Sequence, residues 1–194
     1  MQRATNVHGA PGLKKQLFPN GYIDKQGFLS RAARSAKRGW GRVQAFLEPA
    51  GLAMLQYLTV PVTAFAQNCS IVWCDETVDA AIIDPGGDLD RLLEQVERLG
   101  LNLQAIWLTH AHIDHAGGTA ELAEHLNLSI IGPHPGDQFW IDGLPQQSAM
   151  FGFPPAGHFT PTRWLADGDT VQIGHSTLDV RYCPGHTPGH VVFH

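Results

Sequence analysis

Three histidines and one aspartate lie within six consecutive residues, immediately after an apolar run typical of a buried strand. Zinc is held in proteins by neutral imidazole nitrogen and by carboxylate oxygen. Because alternate residues of an extended chain point the same way, His110 and His112 can share one metal ion. Asp114 and His115 follow the turn, point elsewhere and can serve a second metal ion. The spacing therefore predicts a metal site at the end of a strand.

A second histidine-bearing loop, residues 184–190, follows another strand-like run. Its Pro and Gly residues fix a tight backbone path, and His186 or His190 could complete a tetrahedron around the first metal ion. A site made of His110, His112 and His186 would leave one coordination position open, and such sites lower the pKa of a bound water toward about 7. Together the two loops predict metal-assisted hydrolysis.

Strand-like and helix-like runs alternate around the first of these loops. Asp88 is expected to cap an amphipathic helix with a 3.6-residue apolar period, and Gly100 to close it. The order strand, helix, strand, helix, strand predicts a layered α/β fold, whose active sites gather at the carboxyl ends of strands. No element is predicted in residues 132–161. The predicted helices are 89–99 and 119–126, and the predicted strands are 55–62, 70–74, 80–84, 104–109, 128–131, 170–173, 177–183 and one that begins at 191.

The composition is that of a globular protein, with 194 residues, 43% of them apolar and 16% charged. The apolar stretches are strand-sized, far short of the roughly 20 residues that cross a bilayer, so no membrane span or membrane partner is predicted. Eleven histidines stand against thirteen Lys and Arg residues, which favours metal chemistry. Three cysteines do not make a disulfide framework, and a reducing, cytoplasmic location is predicted.

Charge is distributed unevenly, since residues 1–53 carry nine Lys and Arg against two acidic residues, and residues 54–194 carry four against sixteen. One folded domain rarely separates charge so sharply, so we interpret residues 1–53 as a basic N-terminal extension, disordered or spurious, before a domain at residues 54–194. A targeting peptide and a basic arm for nucleic acid or anionic membrane are the alternatives. The acidic domain argues against a nucleic-acid partner because it would repel the same polyanion.

Three segments, residues 83–87, 110–115 and 184–190, resemble the metallo-β-lactamase superfamily. Within it, residues 61–69 and 183–193 are similar to the short bacterial hydroxyacylglutathione hydrolases, or type II glyoxalases. The resemblance covers residues 54–194. It implies an αββα sandwich that binds two metal ions, usually Zn²⁺ with Fe or Mn as possible substitutes, and that hydrolyses a small-molecule thioester such as S-lactoylglutathione.

The resemblance also implies a role for each histidine of the two loops. His110, His112 and His186 correspond to the ligands of one metal ion, and Asp114 and His115 to those of the other. Asp114 could also orient the nucleophile, which makes it the candidate catalytic residue. His190 corresponds to a supporting residue rather than a ligand. The family has a bridging aspartate and a last metal-binding histidine after these motifs, so the resemblance implies a domain that lacks its C-terminal part.

Two further functions compete with thioester hydrolysis. A mononuclear iron persulfide dioxygenase of the same superfamily resembles this ligand layout, and a β-lactamase or another hydrolase of the fold is a further alternative. A chain that binds at most one metal ion without catalysis is the third reading, because the second metal ion would keep only two protein ligands. Iron content with oxygen consumption would indicate the dioxygenase.

The remaining candidates each have a structural alternative. Asp84 could support a ligand histidine or cap a turn, and His134 could line the pocket but is better explained as an exposed loop residue. Cys183 is expected to be a small buried strand residue, and His125 to lie at a helix end for its dipole. Four aromatic residues could form a wall of the substrate groove or only cover a core, namely Phe139, Trp140, Phe151 and Phe153. No role is predicted for His8, His158 and His175.

Overall fold

The computed structural model describes residues 54–194. What the sequence predicts for residues 1–53, His8 included, lies outside the described residues. The described strands are β1 Leu55–Val62, β2 Gln67–Cys74, β3 Asp79–Ile83, β4 Asn102–Trp107, β5 Ser129–Ile131, β6 Thr170–Ile173, β7 Ser176–Tyr182 and β8 Val191–Phe193. The described helices are α1 Leu89–Arg98, α2 Ile113–Ala116, α3 Thr119–Leu126, α4 Gln138–Asp142 and α5 Leu144–Phe151, with a 3₁₀ turn at Pro135–Asp137.

The strands form two sheets. The larger sheet has the order β1-β2-β3-β4-β5, in which β1, β2 and β3 pair antiparallel and β3, β4 and β5 pair parallel. The smaller sheet has the order β6-β7-β8 and is antiparallel. The predicted strand and helix alternation is therefore confirmed, and the carboxyl ends of β3, β4 and β5 meet at one edge of the larger sheet.

The larger sheet is covered on both faces. Ile71, Ile82 and Ile106 point to one face and pack with residues of the helices, whereas the next residue along each strand packs against the smaller sheet. This alternation explains why the central strands read as almost continuous apolar runs. The layers run helices, large sheet, small sheet, which confirms the first three layers of the predicted sandwich. Within residues 54–194 the outer face of the small sheet is exposed at Thr177 and Asp179.

Helix α1 follows the predicted periodicity, since Leu92 and Val96 are its buried residues. Gly100 ends it in the left-handed conformation, with φ of +64°. Asp88 is the N-cap residue of this helix, as predicted, but its side chain does not make the expected capping hydrogen bond. Asp88 has φ of +51° and makes no capping bond, and its Oδ2 accepts a hydrogen bond from the Thr63 amide at 2.8 Å. The left-handed backbone directs this carboxylate toward the β1–β2 turn instead.

Two sequence expectations fail in the second half of the domain. The stretch 132–161, in which no element was predicted, contains the 3₁₀ turn, α4 and α5. These helices are short, they meet at Gly143, and Pro145 lies in the first turn of α5, so no apolar period develops. Cys183 is exposed rather than buried. Strand β7 ends at Tyr182, so Cys183 already belongs to the loop.

Candidate metal centre

Three loops meet at the carboxyl edge of the parallel strands. The first follows β4, the second follows β5, and the third joins β7 to β8 across residues 183–190. The backbone amide of Val191, the first residue of β8, donates to the carbonyl of Thr109 at 2.9 Å. This bond attaches the small sheet directly to the end of β4. The loops that carry the histidines therefore come from different sheets and meet at one point.

His110, His112 and His186 lie together, with one ligand nitrogen from each within 4.8 Å of the others. Nδ1 of His112 is 3.2 Å from Nε2 of His186, and the ring centroids of His110 and His186 are 4.8 Å apart. His110 is buried, His112 is half-buried and His186 is exposed, so the group opens to solvent on one side. This geometry suits one tetrahedral ion with an open position.

Hydrogen bonds fix the protonation of the His110 ring. The Thr109 hydroxyl lies 2.5 Å from Asp84 Oδ2 and 3.0 Å from His110 Nδ1. A carboxylate only accepts, so the hydroxyl donates to Asp84 and accepts from the N–H at His110 Nδ1. Nε2 then carries the lone pair, and this nitrogen is buried without a hydrogen-bond partner. A buried polar atom without a partner is costly unless something binds it, and a metal ion fits this position.

Three imidazoles near this point, those of His110, His112 and His190, are held neutral. Burial first, and then the neighbouring rings with His115 foremost, together lower the pKa of His110 to about 2. Burial also lowers the pKa of His112 and that of His190, and in each case the next cause is His186. Neutral imidazole is the form that binds metal, so protons compete weakly with a cation at these nitrogens near pH 7.

Asp114 and His115 form a second pair. His115 Nδ1 is 3.0 Å from Asp84 Oδ2, so Nδ1 donates there and Nε2 keeps its lone pair. That Nε2 is 3.7 Å from Asp114 Oδ2, a separation that one cation bound to both atoms would span. Asp84, His110 and His115 also lie within 4.8 Å of one another. We favour a supporting role for Asp84 because both of its oxygens already accept hydrogen bonds.

Asp84 therefore contacts a candidate ligand, His115, and also stabilises the turn at Thr109 by hydrogen bonds. Its Oδ1 accepts from the Thr109 amide at 2.8 Å, and its Oδ2 orients His110 through the Thr109 hydroxyl and His115 directly. Asp84 is buried, and its backbone φ is +56° directly after the end of β3. This left-handed conformation is uncommon for a residue with a side chain and accompanies the inward direction of the carboxylate.

We expect Asp84→Asn to weaken metal binding by about 10- to 100-fold, because loss of such a supporting carboxylate leaves ligand histidines without a fixed tautomer. Competition for Zn²⁺ with a chromophoric chelator measures the change. Asp88→Asn is the matched control, since Asp88 accepts a single backbone hydrogen bond in an exposed turn. Equal Zn²⁺ affinity in the two variants would contradict the role given to Asp84.

The other predicted candidates separate into near and far groups. The ring of His190 lies 5.0 Å from that of His110, and Trp140 meets the His112 ring edge-on at 4.8 Å. Phe139 and Phe151 are exposed, and Phe151 and Phe153 contact Phe65. Of the four aromatic residues, Trp140 is thus the one in contact with a candidate ligand.

His134 differs from its sequence expectation. It is half-buried rather than exposed, its ring stacks on Tyr182 at 4.2 Å, and its Nδ1 accepts from the Gly136 amide at 3.0 Å. His125 lies in the last turn of α3, as predicted. His158 is exposed, and His175 forms an ion pair with Glu76 at 2.9 Å.

Sequence reasoning missed two buried polar residues of the site. Gln67 places its side-chain amide 3.2 Å from His115 Nδ1. Asp137 is fully buried and accepts hydrogen bonds from both histidine loops. The available signal for Asp137 was a carboxylate in a Pro-Gly turn directly after a strand end, where polar residues gather in α/β folds.

Comparison with known proteins gives the family. Residues 62–194 match the family model described as the metallo-beta-lactamase superfamily. The chain belongs to this superfamily. Its fold implies a divalent metal site, and the buried, unpartnered Nε2 of His110 fits one. None of the helices within residues 54–194 is long and apolar enough to cross a bilayer.

Curated relatives in the superfamily include hydroxyacylglutathione hydrolases. The protein of that name, GloC, from Haemophilus influenzae is 44% identical over 135 residues, which are 69% of this chain and 63% of the relative. The Aeromonas salmonicida protein is 31% identical over 139 residues, which are 71% of this chain and 46% of that relative. The chain thus spans less than two thirds of the length of these relatives.

Solved structures agree on the fold. TTHA1623 in a di-iron-bound form is 34% identical with a TM-score of 0.62. The match covers 71% of this chain and 66% of the TTHA1623 chain. The BLEG-1 B3 metallo-beta-lactamase is 29% identical with the same TM-score of 0.62 and the same coverage of 71% and 66%. Both solved structures therefore share this arrangement of elements with the chain.

Proposed function

We propose that this chain is a metal-dependent hydrolase. In this proposal His110, His112 and His186 hold one divalent cation, and Asp114 and His115 contribute to a second. The observation that carries the proposal is the buried Nε2 of His110, which has no hydrogen-bond partner and lies with ligand nitrogens of two other histidines. Zn²⁺ is the proposed metal because it prefers nitrogen ligands in tetrahedral geometry.

A metal ion bound there would polarise a carbonyl and make water nucleophilic near neutral pH. The residues of the chain prepare the site for it. Asp84 and Thr109 hold the tautomer of His110, and Asp84 holds that of His115. Asp114, half-buried beside His115, is the proposed orienting group for the nucleophile. The exposed side at His186 leaves an approach for substrate.

The proposed substrate is a small thioester of the S-lactoylglutathione type. Support comes from the hydroxyacylglutathione hydrolases among the relatives. The chemistry is compatible, because a thiolate with a pKa near 8.5 leaves without a strong acid to protonate it. We also propose a cytoplasmic location, which the free thiols of Cys69, Cys74 and Cys183 support.

The test combines metal analysis with turnover by the purified chain. We expect bound Zn²⁺ and hydrolysis of S-lactoylglutathione, followed by the loss of thioester absorbance. Iron together with oxygen consumption on a persulfide substrate would replace the proposal by the dioxygenase. Bound metal with neither reaction would replace it by a non-catalytic metal-binding chain.

Removal of the metal should abolish hydrolysis. Incubation with a strong chelator is expected to reduce turnover to background, because the proposed nucleophile is water activated at the site. Added Zn²⁺ should restore turnover, whereas added Ca²⁺, which prefers oxygen ligands, should not. Turnover that persists after complete metal removal would contradict the proposed mechanism.

A further inference from the structure

Asp137 joins the two loops that carry the candidate ligands. Its Oδ2 accepts from the Ala111 amide at 3.0 Å, and Ala111 lies between His110 and His112. The same oxygen accepts from the Thr187 hydroxyl at 2.9 Å, and Oδ1 accepts from the Gly189 amide at 2.6 Å. One fully buried carboxylate therefore contacts the chain beside every member of the three-histidine group.

The three donors define the state of this side chain. Two backbone N–H groups and one hydroxyl point at its two oxygens, which is the pattern a carboxylate accepts and a neutral amide cannot reproduce. Within residues 54–194, no Lys or Arg forms an ion pair with Asp137. Its negative charge is therefore stabilised by these three hydrogen bonds. A cation nearby would complement it, since buried charges are normally paired.

The backbone around Asp137 packs closely against the β7–β8 loop. The His134 amide donates to the Gly189 carbonyl at 3.1 Å. A Cβ atom on Gly189 would lie 2.5 Å from the Asp137 nitrogen, and one on Gly136 would lie 2.9 Å from the Pro188 carbonyl oxygen. Because the backbones are this close, the β7–β8 loop cannot shift without moving the segment around residues 134–137. The position of the loop therefore depends on the segment that carries Asp137.

We infer that Asp137 is a positioning residue that sets His186 against His110 and His112, and that divalent metal affinity depends on it more than folding does. This inference rests on the proposed metal centre. Asp137 does not reach the metal in this scheme. It holds the backbone on both sides of the ligand group, so its loss would separate the ligands while each ligand side chain remains.

The experiment measures Co²⁺ binding to the full chain by its visible absorption, in the wild type and in Asp137→Asn. Asn has the same shape, but its amide NH₂ must face at least one of the three donors. We expect Co²⁺ affinity to fall by about 10- to 100-fold and the absorption to change, because the ligand geometry changes. Asp169→Asn is the matched control, since Asp169 also accepts from a backbone amide, that of Ala166, in a turn of the other sheet.

A second pair of variants, at Thr187, distinguishes a positioning role from a general loss of stability. Thr187→Val removes one hydroxyl and keeps the shape of the side chain, and we expect a smaller loss of Co²⁺ affinity than in Asp137→Asn. Thr187→Ser restores the hydroxyl and should recover the wild-type affinity. A purely structural role would lower the unfolding temperature of all these variants without this order in affinity.

Amide hydrogen exchange without metal supplies an independent readout. We expect faster exchange in residues 183–190 of Asp137→Asn and not of Asp169→Asn. Co²⁺ affinity within twofold of wild type in Asp137→Asn, or unchanged exchange in that segment, would overturn the inference. Absence of Co²⁺ binding by the wild type would refute the proposed metal centre separately, and the exchange result would still decide whether Asp137 positions the loop.

Discussion

His112→Ala is expected to abolish the proposed metal-dependent thioester hydrolysis. His112 belongs to the first histidine loop and its ring faces the second, with Nδ1 3.2 Å from Nε2 of His186 and its ring 5.0 Å from that of His110. Four-ligand zinc sites bind with about 10–16 kcal/mol, so one ligand of a three-histidine group contributes about 3 kcal/mol. Metal affinity should fall by about a hundredfold or more, and turnover with it.

The measurement is Zn²⁺ affinity together with the rate of S-lactoylglutathione hydrolysis at limiting metal. His158→Ala is the matched control, because His158 is exposed and far in sequence from both histidine loops. Circular dichroism should show the same fold in both variants. Wild-type turnover in His112→Ala would contradict the assignment of this residue as a ligand.

Gly86→Ala is the second change with a large expected effect. Gly86 is buried in the turn after β3, and a Cβ there would overlap the backbone carbonyl of Asp114. The neighbouring atom is main chain and cannot rotate away, so the loop that carries the histidines must move. We expect a loss of about 3 kcal/mol or more in the free energy of unfolding, at the upper end for overpacking.

Gly87→Ala provides the control one residue later. A Cβ on Gly87 would meet only the Thr63 methyl group, at 3.2 Å, and that side chain can shift by a few tenths of an ångström. Urea denaturation of both variants measures the difference. If Gly86→Ala unfolds at the same urea concentration as Gly87→Ala, the close approach of this turn to the first histidine loop is not a constraint on the fold.

Local sequence patterns were sufficient to predict the helix and strands that position the site. The 3.6-residue period predicted α1, and apolar runs bounded by turn residues predicted β1 to β5 and the β6–β7 hairpin. Because strand ends collect at one edge, the approach of a histidine of the second loop to His110 and His112 was also predicted, and the structure brings His186 there. The residues alone left His186 and His190 open, and the family resemblance selected His186. These predictions depend on residues close together along the chain or on a general property of sheets.

The remaining features depend on contacts between distant residues. The bond between Asp84 and His115 joins positions 31 residues apart, and that between Asp137 and Gly189 joins positions 52 apart. Nothing in the local sequence distinguishes a carboxylate that caps a turn from one that orients a ligand. The short helices α4 and α5 were missed because tertiary packing, which buries Ile141 and Leu144, decides their formation.

The hydrogen bond between β8 and Thr109 bears on how readily the protein unfolds and is degraded. A cation at the meeting point would act as a cross-link between the two sheets, so neither sheet could open without releasing it. At a free concentration a thousand times its dissociation constant, such a ligand adds about 4 kcal/mol to the stability of the native state. Metal supply would then set the resistance of the chain to proteolysis, and metal-starved molecules would be degraded first.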